Sequence, residues 1–225
     1  MSIRSQEQVA LLTDYESDSA YSEAFRSLYA NIRFHWDSEE SKQHTLLLTT
    51  PTAYAAQSIV AANVAIAAAQ SGTATILVDA DLRNPGLGQR FGTGDHAGLG
   101  DLLAEKTLDP HRLDLYLSPT FIPGLRLLSA GDTQGGPALL LSAALQMSIE
   151  GMCQYLKETE TATSLVIFNS PPVLAGPDAS LIAAQVNQTI LTIARGRTTR
   201  AKAKQAQEQL ERAHARLVGI VMLDM

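Results

Sequence analysis

Apolar positions along the chain follow two alternating spacings. Short runs rich in leucine, isoleucine and valine fall at residues 45–50, 74–79, 125–129, 165–168, 188–194 and 217–223. The first two are too short for a helix and too apolar for a surface loop, and predict strands buried in the sheet, the first on both faces; the others predict further strands. Helical periodicity separates them. Tyr21, Phe25, Leu28, Ile32 and Trp36 recur three and four residues apart and predict one apolar stripe, with Glu23, Arg26 and Arg33 outside it. Residues 57–71 form an alanine-rich helical pattern ending at Gly72, where a glycine stops a helix. Residues 137–157 read as one long helix with a proline near its start, and residues 177–184 and 198–215 as two more. In the last of these, Ala203, Ala206, Leu210 and Ala213 make the apolar stripe, and Glu208 and Arg212 are spaced for an i,i+4 pair.

Strands alternating with helices on this scale predict an α/β fold, a mainly parallel sheet with helices on both faces joined by right-handed crossovers. The glycine-rich stretch 83–100 predicts a loop with at most a short helix. Residues 1–19 are polar and acidic without periodicity, and are expected to be a flexible tail ahead of a single domain over 20–225.

Composition narrows the function classes. A chain of 225 residues, 45% of them hydrophobic, can bury one large core. Seventeen basic against 23 acidic residues give a net charge of -6, which argues against a nucleic-acid partner. Cys153 is the single cysteine, so no internal disulfide forms, and its helical setting predicts a small buried apolar residue. Five dispersed histidines without a second cysteine argue against zinc. The acidic start lacks the pattern of a secretory signal, and no apolar run reaches the roughly 18 residues of a membrane span. The expectation is a soluble, cytoplasmic chain, held by another protein if it works at the inner face of the cell membrane.

In an open parallel sheet ligands bind beyond the carboxyl ends of the strands, which directs attention to the loops after Thr50, Asp79 and Phe168. The first lies between a buried strand and an alanine-rich helix, where a phosphate-binding loop of the form G-x-x-x-x-G-K-[ST] belongs. Aligned on Ser58, the chain has Pro51, Ala56 and Gln57 at the two glycines and the lysine, so only the hydroxyl survives. Tyr54 takes a turn position where small residues are usual, and Ala56 costs about 1 kcal/mol or more wherever a positive φ is required. Gln57 donates a hydrogen bond but neutralises no charge. The second loop sets Asp79 and Asp81 two residues apart just past a strand. They can hold magnesium through water or accept a proton from a hydroxyl, or they can serve as turn and capping residues, and spacing alone leaves both open. In the third loop a strand ends in Asn169, where phosphate-transfer folds place a metal-linked aspartate; alone, it reads as a turn residue before Ser170 and two prolines.

Together these loops resemble the bacterial tyrosine kinases of capsular and exopolysaccharide systems, a P-loop family unrelated in fold to eukaryotic protein kinases. The resemblance runs from about Tyr21 to Met222. It includes YSEAFRSLYANIRF at 21–34, TTPT ahead of an AAN-containing helix, ILVDADLRNPGL at 76–87, LVIFNSPPVLAGPDA at 165–179 and ARGRTTR at 194–200. It implies a P-loop NTPase sheet of the MinD/ParA kind. In active members the first motif ends in Gly-Lys-Ser/Thr, the second supplies two aspartates, the third has aspartate in place of Asn169, and ATP with Mg2+ is the cofactor pair.

Carried over residue by residue, Ser58, Asp79 and Asp81 match, while Tyr54, Ala56, Gln57, Ile59 and Asn169 depart. The nucleotide-binding loop is thus degenerate over Thr52, Ala53, Tyr54, Ala55, Ala56, Gln57, Ser58 and Ile59, and Asn169 stands at the Walker B position. These departures fall on phosphate and metal contacts and spare strands and turns, which implies a pseudokinase retained for binding. No catalytic residue, metal or cofactor is then expected, with Asp79 and Asp81 as family-equivalent acidic positions and Ser58 and Asp79 as residual metal candidates. The family's ring-assembly motif E-x-x-R-x-x-R maps to Glu23, Arg26 and Tyr29, with tyrosine for the second arginine. Its tyrosine-rich C-terminal tail has no counterpart after residue 223.

The resemblance further implies a membrane polysaccharide co-polymerase, or another protein of the exopolysaccharide machinery, as partner, and a homo-oligomer or a hetero-oligomer with an active kinase as assembly. Two alternatives stand beside it: a weak or unconventional ATP-dependent tyrosine kinase using Ser58, Asp79 and Asp81, and a positioning ATPase sharing the sheet. Tyr15 is the one tyrosine placed to accept a phosphate. The basic run Arg195, Arg197, Arg200, Lys202 and Lys204 is a solvated helix start or a contact for an anion, an acidic partner or lipid headgroups.

Overall fold

The computed structural model describes residues 11–14, 16–36, 42–54, 57–93, 96–105, 110–141, 143–160 and 162–224. Seven strands form one sheet in the order β3-β4-β2-β5-β1-β6-β7: β1 (Gln43–Thr49), β2 (Ala74–Asp79), β3 (Leu117–Pro119), β4 (Leu125–Leu128), β5 (Ser164–Asn169), β6 (Gln188–Ala194) and β7 (Leu217–Leu223). Every pairing is parallel except β3 with β4. β1, β2 and β5 are almost wholly buried, as their unbroken apolar runs require when helices cover both faces.

One face is covered by α1 (Ala20–Phe34), α2 (Gln57–Gln70) and α3 (Leu87–Phe91), whose apolar residues join the even-numbered leucines of β1. The other is covered by α4 (Leu99–Ala104), α5 (Ala143–Thr159), α6 (Asp178–Ala183) and α7 (Arg200–Arg212). α2 is buried from Ile59 to Ala69 because α1 lies over its outer side. A helix apolar all round needs such double cover, and its alanines let both neighbours approach closely. α1 starts at the Ser19 cap, whose hydroxyl accepts from Ser22 N at 3.2 Å. Its stripe buries Phe25, Tyr29 and Ile32.

Four expectations are corrected. The second part of the supposed tail is packed: Leu11 and Leu12 are buried, Leu12 N donates to Asn63 Oδ1 at 2.8 Å, and a 3-10 turn spans Leu12–Asp14. Two leucines outweigh the acidic surroundings because α2 offers them an apolar seat; residues 1–10 and 15, Tyr15 included, lie outside the described residues. The long helix from 137 divides into a 3-10 turn, Gly136–Leu141, and α5. Leu140 is 1% and Leu141 66% exposed, so the leucine run shares no single face. The glycine-rich stretch holds two short helices, α3 and α4, and β3 is a strand the sequence did not announce.

The start of α4 explains the glycines. A Cβ on Gly98 would meet Ser129 O at 2.2 Å and one on Gly100 would meet Asp132 O at 1.8 Å. Bare backbone there lets Leu99 N and Gly100 N donate to the carbonyls of Ser129 and Ala130, both at 2.8 Å. No helix among the described residues is long and apolar enough to cross a membrane.

Candidate functional site

The three loops singled out by sequence meet at the carboxyl ends of β1, β2 and β5, adjacent in the sheet order. The loop after β1 is held by its own side chains. Thr50 Oγ1 donates to Gln57 Oε1 at 3.1 Å, and Gln57 Nε2 donates to Ser170 O at 2.6 Å. Both ends of the side chain in the lysine position are therefore engaged, one within its own loop and one with the loop after β5. Tyr54 lies over β6: Thr192 Oγ1 donates to Thr49 O at 3.1 Å, so the Tyr54 hydroxyl donates to Thr192 Oγ1 at 2.9 Å. Burial raises the Tyr54 phenol above its usual range, so it stays protonated. Thr52 and Ser58 are half-buried, Ala53 is exposed and Ile59 is buried; Ala55 and Ala56 lie outside the described residues.

Asp79 is fully buried at the end of β2. Its Oδ2 accepts from Gly86 N and Leu87 N, each at 2.9 Å, and its Oδ1 accepts from Asn169 Nδ2 at 3.0 Å. Burial raises its carboxyl above the ordinary aspartate range against the pull of these bonds. Asp81, 6% exposed, accepts from Asn84 N at 3.0 Å and is also raised by burial, with the charge of Asp79 adding to the effect. Arg83, two residues on, donates from Nε to Asp178 Oδ2 at 2.7 Å. Asp178 is 1% exposed at the start of α6, and its Oδ1 has no partner among the described residues. A Cβ on Gly176 would come within 2.8 Å of the guanidinium, so the glycine of GPDA makes room for this pair.

ATP with Mg2+ is the group the fold family implies, and the residues present do not fit it. Asn169 turns an N–H toward Asp79, where two carboxylates sharing a cation would turn oxygen toward the metal. At position 57 a neutral amide is committed to a backbone carbonyl in the place of a lysine that meets phosphate. The charged side chains gathered at the ends of β2 and β5 are Asp79, Asp81 and Asp178 with Arg83. Among the described residues no group of three His, Cys, Asp or Glu side chains is arranged to hold a metal ion. A cavity of about 510 Å³ opens beside Asp79, lined also by Gly88, His96, Asp101 and Asp132.

Of the sequence-predicted residues, Gln57, Asp79, Asp81 and Asn169 come together, with Tyr54 at the β6 side. Glu23 and Arg26 pair with each other on the exposed side of α1, 60% and 36% exposed as side chains. Tyr29 turns inward, 2% exposed, with its hydroxyl on Thr73, so the third position of the ring motif belongs to the core. Thr50, Ser170, Thr192 and the Arg83–Asp178 pair are site residues that sequence reasoning missed. The i,i+4 pairing expected for Glu208 and Arg212 is replaced by Lys204–Glu208 at 3.7 Å.

No family model matches the chain. It is similar to the tyrosine-protein kinase YwqD of Bacillus subtilis (strain 168), 30% identical over 219 residues that cover 97% of this chain and 86% of the relative. Among solved structures, the chimerical protein CapA2B2 superposes with a TM-score of 0.80 at 25% identity, covering 96% of this chain and 89% of that one. The cell division ATPase MinD of Pyrococcus furiosus shares the fold at a TM-score of 0.62 and 17% identity, over 80% of this chain and 71% of that one. With the sheet order and the DADLR and NSPPVLAGPDA loops in place, the chain belongs to the bacterial tyrosine-kinase family of capsular and exopolysaccharide systems, on the P-loop NTPase fold.

Proposed function

We propose that this member of the family is a catalytically inactive, kinase-like protein that acts in exopolysaccharide assembly by binding, on the cytoplasmic side of a membrane polysaccharide co-polymerase. The observation that carries the reading is that the residues replacing the family's lysine and aspartate are each hydrogen-bonded to the protein around them. Gln57 is bonded to Thr50 and Ser170, and Asn169 to Asp79. A site merely damaged would leave buried polar groups orphaned at a cost of about 1–3 kcal/mol each. Here both ends of Gln57 and the Asn169 Nδ2 are bonded from within and, of these atoms, only Asn169 Oδ1 is left without a partner among the described residues, which supports a scaffold that holds its shape without nucleotide. Homo-oligomers, or mixed assemblies with an active kinase, are the remaining roles for such a scaffold.

The test is thermal unfolding with and without millimolar Mg-ATP and Mg-ADP, paired with direct titration and with mass spectrometry for phosphotyrosine. A ligand present at a hundred times its dissociation constant stabilises by about 2.7 kcal/mol, a rise of roughly 5–10 °C for a domain of this size. The expected result is no shift and no phosphotyrosine. The alternative, a weak kinase, draws on the retained Asp79 and Asp81. A phosphotyrosine that disappears in Asp81→Ala would establish it and end the inactive-kinase reading. Failure of a co-polymerase to co-purify under mild extraction would remove the partner from the proposal and leave inactivity standing.

A further inference from the structure

Helix α7 carries its charges in the order opposite to the one its backbone dipole favours. Arg200, Lys202 and Lys204 fill its first half, which holds no acid, while Glu208 and Glu211 stand in its second and only Arg212, in the last turn, follows the favoured order. A helix N-terminus carries partial positive charge and is stabilised by acids, not by bases. Arg195 and Arg197 add two more cations in the turn that leads in from β6. Asp224 meets Arg195 at 2.9 Å and Glu208 meets Lys204 at 3.7 Å. Among the described residues no ion pair engages Arg197, Arg200 or Lys202. This cationic island stands on a chain whose net charge is -6.

Apolar side chains lie beside it. β7 is the outermost strand, and its Ile220 and Met222 are 50% and 63% exposed. In the β6–β7 ladder they stand opposite Leu191 and Ile193. Those two residues pack in the core that holds Ala206 and Leu210 of α7, so Ile220 and Met222 project on the α7 side of the sheet. The end of β7 joins the basic turn directly, with Arg195 N donating to Leu223 O at 2.8 Å.

We propose that this corner binds the anionic headgroups of a lipid bilayer directly. Cations beside isolated aliphatic side chains suit a negatively charged interface, where the charges meet phosphate and the aliphatic groups enter the headgroup boundary. An acidic protein segment would satisfy the cations and leave Ile220 and Met222 in water. A helix start, a turn and an edge strand present an open surface, and the cavity described above lies toward the opposite end of the sheet order, beyond β2 and β4. The negative remainder of the chain is repelled by the same surface, which selects one orientation. This contact needs no partner protein, so its failure leaves the inactive-kinase reading untouched.

The full chain is floated with vesicles of phosphatidylcholine containing about 30% phosphatidylglycerol and with phosphatidylcholine alone, at low salt and at about 0.5 M salt. The expected result is binding to the anionic vesicles alone, abolished by salt. The triple variant Arg197→Gln, Arg200→Gln, Lys202→Gln should lower partitioning roughly a hundredfold, at about fivefold per cation. The double variant Ile220→Ser, Met222→Ser should lower it several-fold with the salt dependence unchanged. Melting curves confirm that the variants, all at exposed positions, remain folded. Absence of flotation at low salt, or flotation that survives the triple substitution, overturns the proposal. So does capture by immobilised polyglutamate, sensitive to the triple substitution, without flotation; that outcome assigns the surface to an acidic polypeptide.

Discussion

Restoring the family's aspartate at position 169 should destabilise this protein, with a pH dependence that reports the reason. Asn169 Nδ2 lies 3.0 Å from Asp79 Oδ1, and the two residues are 2% and 0% exposed. Asn169→Asp places a second carboxylate where an N–H now donates. Two unit charges at that spacing repel by about 5–6 kcal/mol even at an effective dielectric constant near 20. Taking up one shared proton is the smaller cost. At pH 7 a carboxyl of ordinary pKa, about 3.9, is some three units above its midpoint, and holding it protonated costs about 4 kcal/mol. For a domain of this size the melting temperature falls by roughly 10 °C at pH 7. Each unit of acidification returns about 1.4 kcal/mol, so the gap shrinks to about 1.5 kcal/mol at pH 5 and nearly closes at pH 4. Melting scans of both proteins between pH 4.5 and 8, in EDTA so that no divalent cation substitutes for the proton, measure this directly. A variant as stable as the parent at pH 7.5, or a deficit independent of pH, refutes the account of Asn169 as the neutral partner of Asp79.

Asp79→Asn should act in the opposite direction. The folded pKa of Asp79 is raised by burial, so the stability linked to this group is fully present below about pH 3.9 and is lost as pH rises through the raised value. The variant, whose amide donates to Asn169 Oδ1 once the Asn169 amide turns over, should melt above the parent at pH 7 and converge with it near pH 4, as read by calorimetry across that range. Tyr54→Phe removes one hydroxyl bond to Thr192 and should cost about 1 kcal/mol, a fall of roughly 2–4 °C by the same scan. Gly100→Ala drives a methyl group into Asp132 O at 1.8 Å from its ideal position, with backbone on both sides. A loss of about 3 kcal/mol or more is expected, visible as reduced soluble yield and an early urea midpoint.

The sequence by itself determined the class of fold and the neighbourhood of the site. Uninterrupted apolar runs, at Leu46–Leu48 or Ile76–Val78 for instance, are stable only between two layers of helices, and ligand loops in such a sheet follow the strand ends. It also identified Gln57 and Asn169 as the uncharged residues in charged places, because a missing charge is visible in a single letter. Tertiary structure alone decided what those residues do instead. Gln57 meets the Ser170 carbonyl 113 positions away, and Asn169 meets Asp79 across 90. Bonds between adjacent parallel strands depend on sheet order, and a linear pattern does not carry that order. Tyr29 is inside for the same reason: the predicted stripe of α1 did not include it, and the Thr73 hydroxyl that makes the buried position tolerable to a phenol comes from the turn before β2. β3 escaped notice because a three-residue edge strand draws its stability from the Leu125–Leu128 strand it pairs with, not from any periodicity of its own. The packed leucines at 11 and 12 escaped because burial is conferred by the surface that receives them.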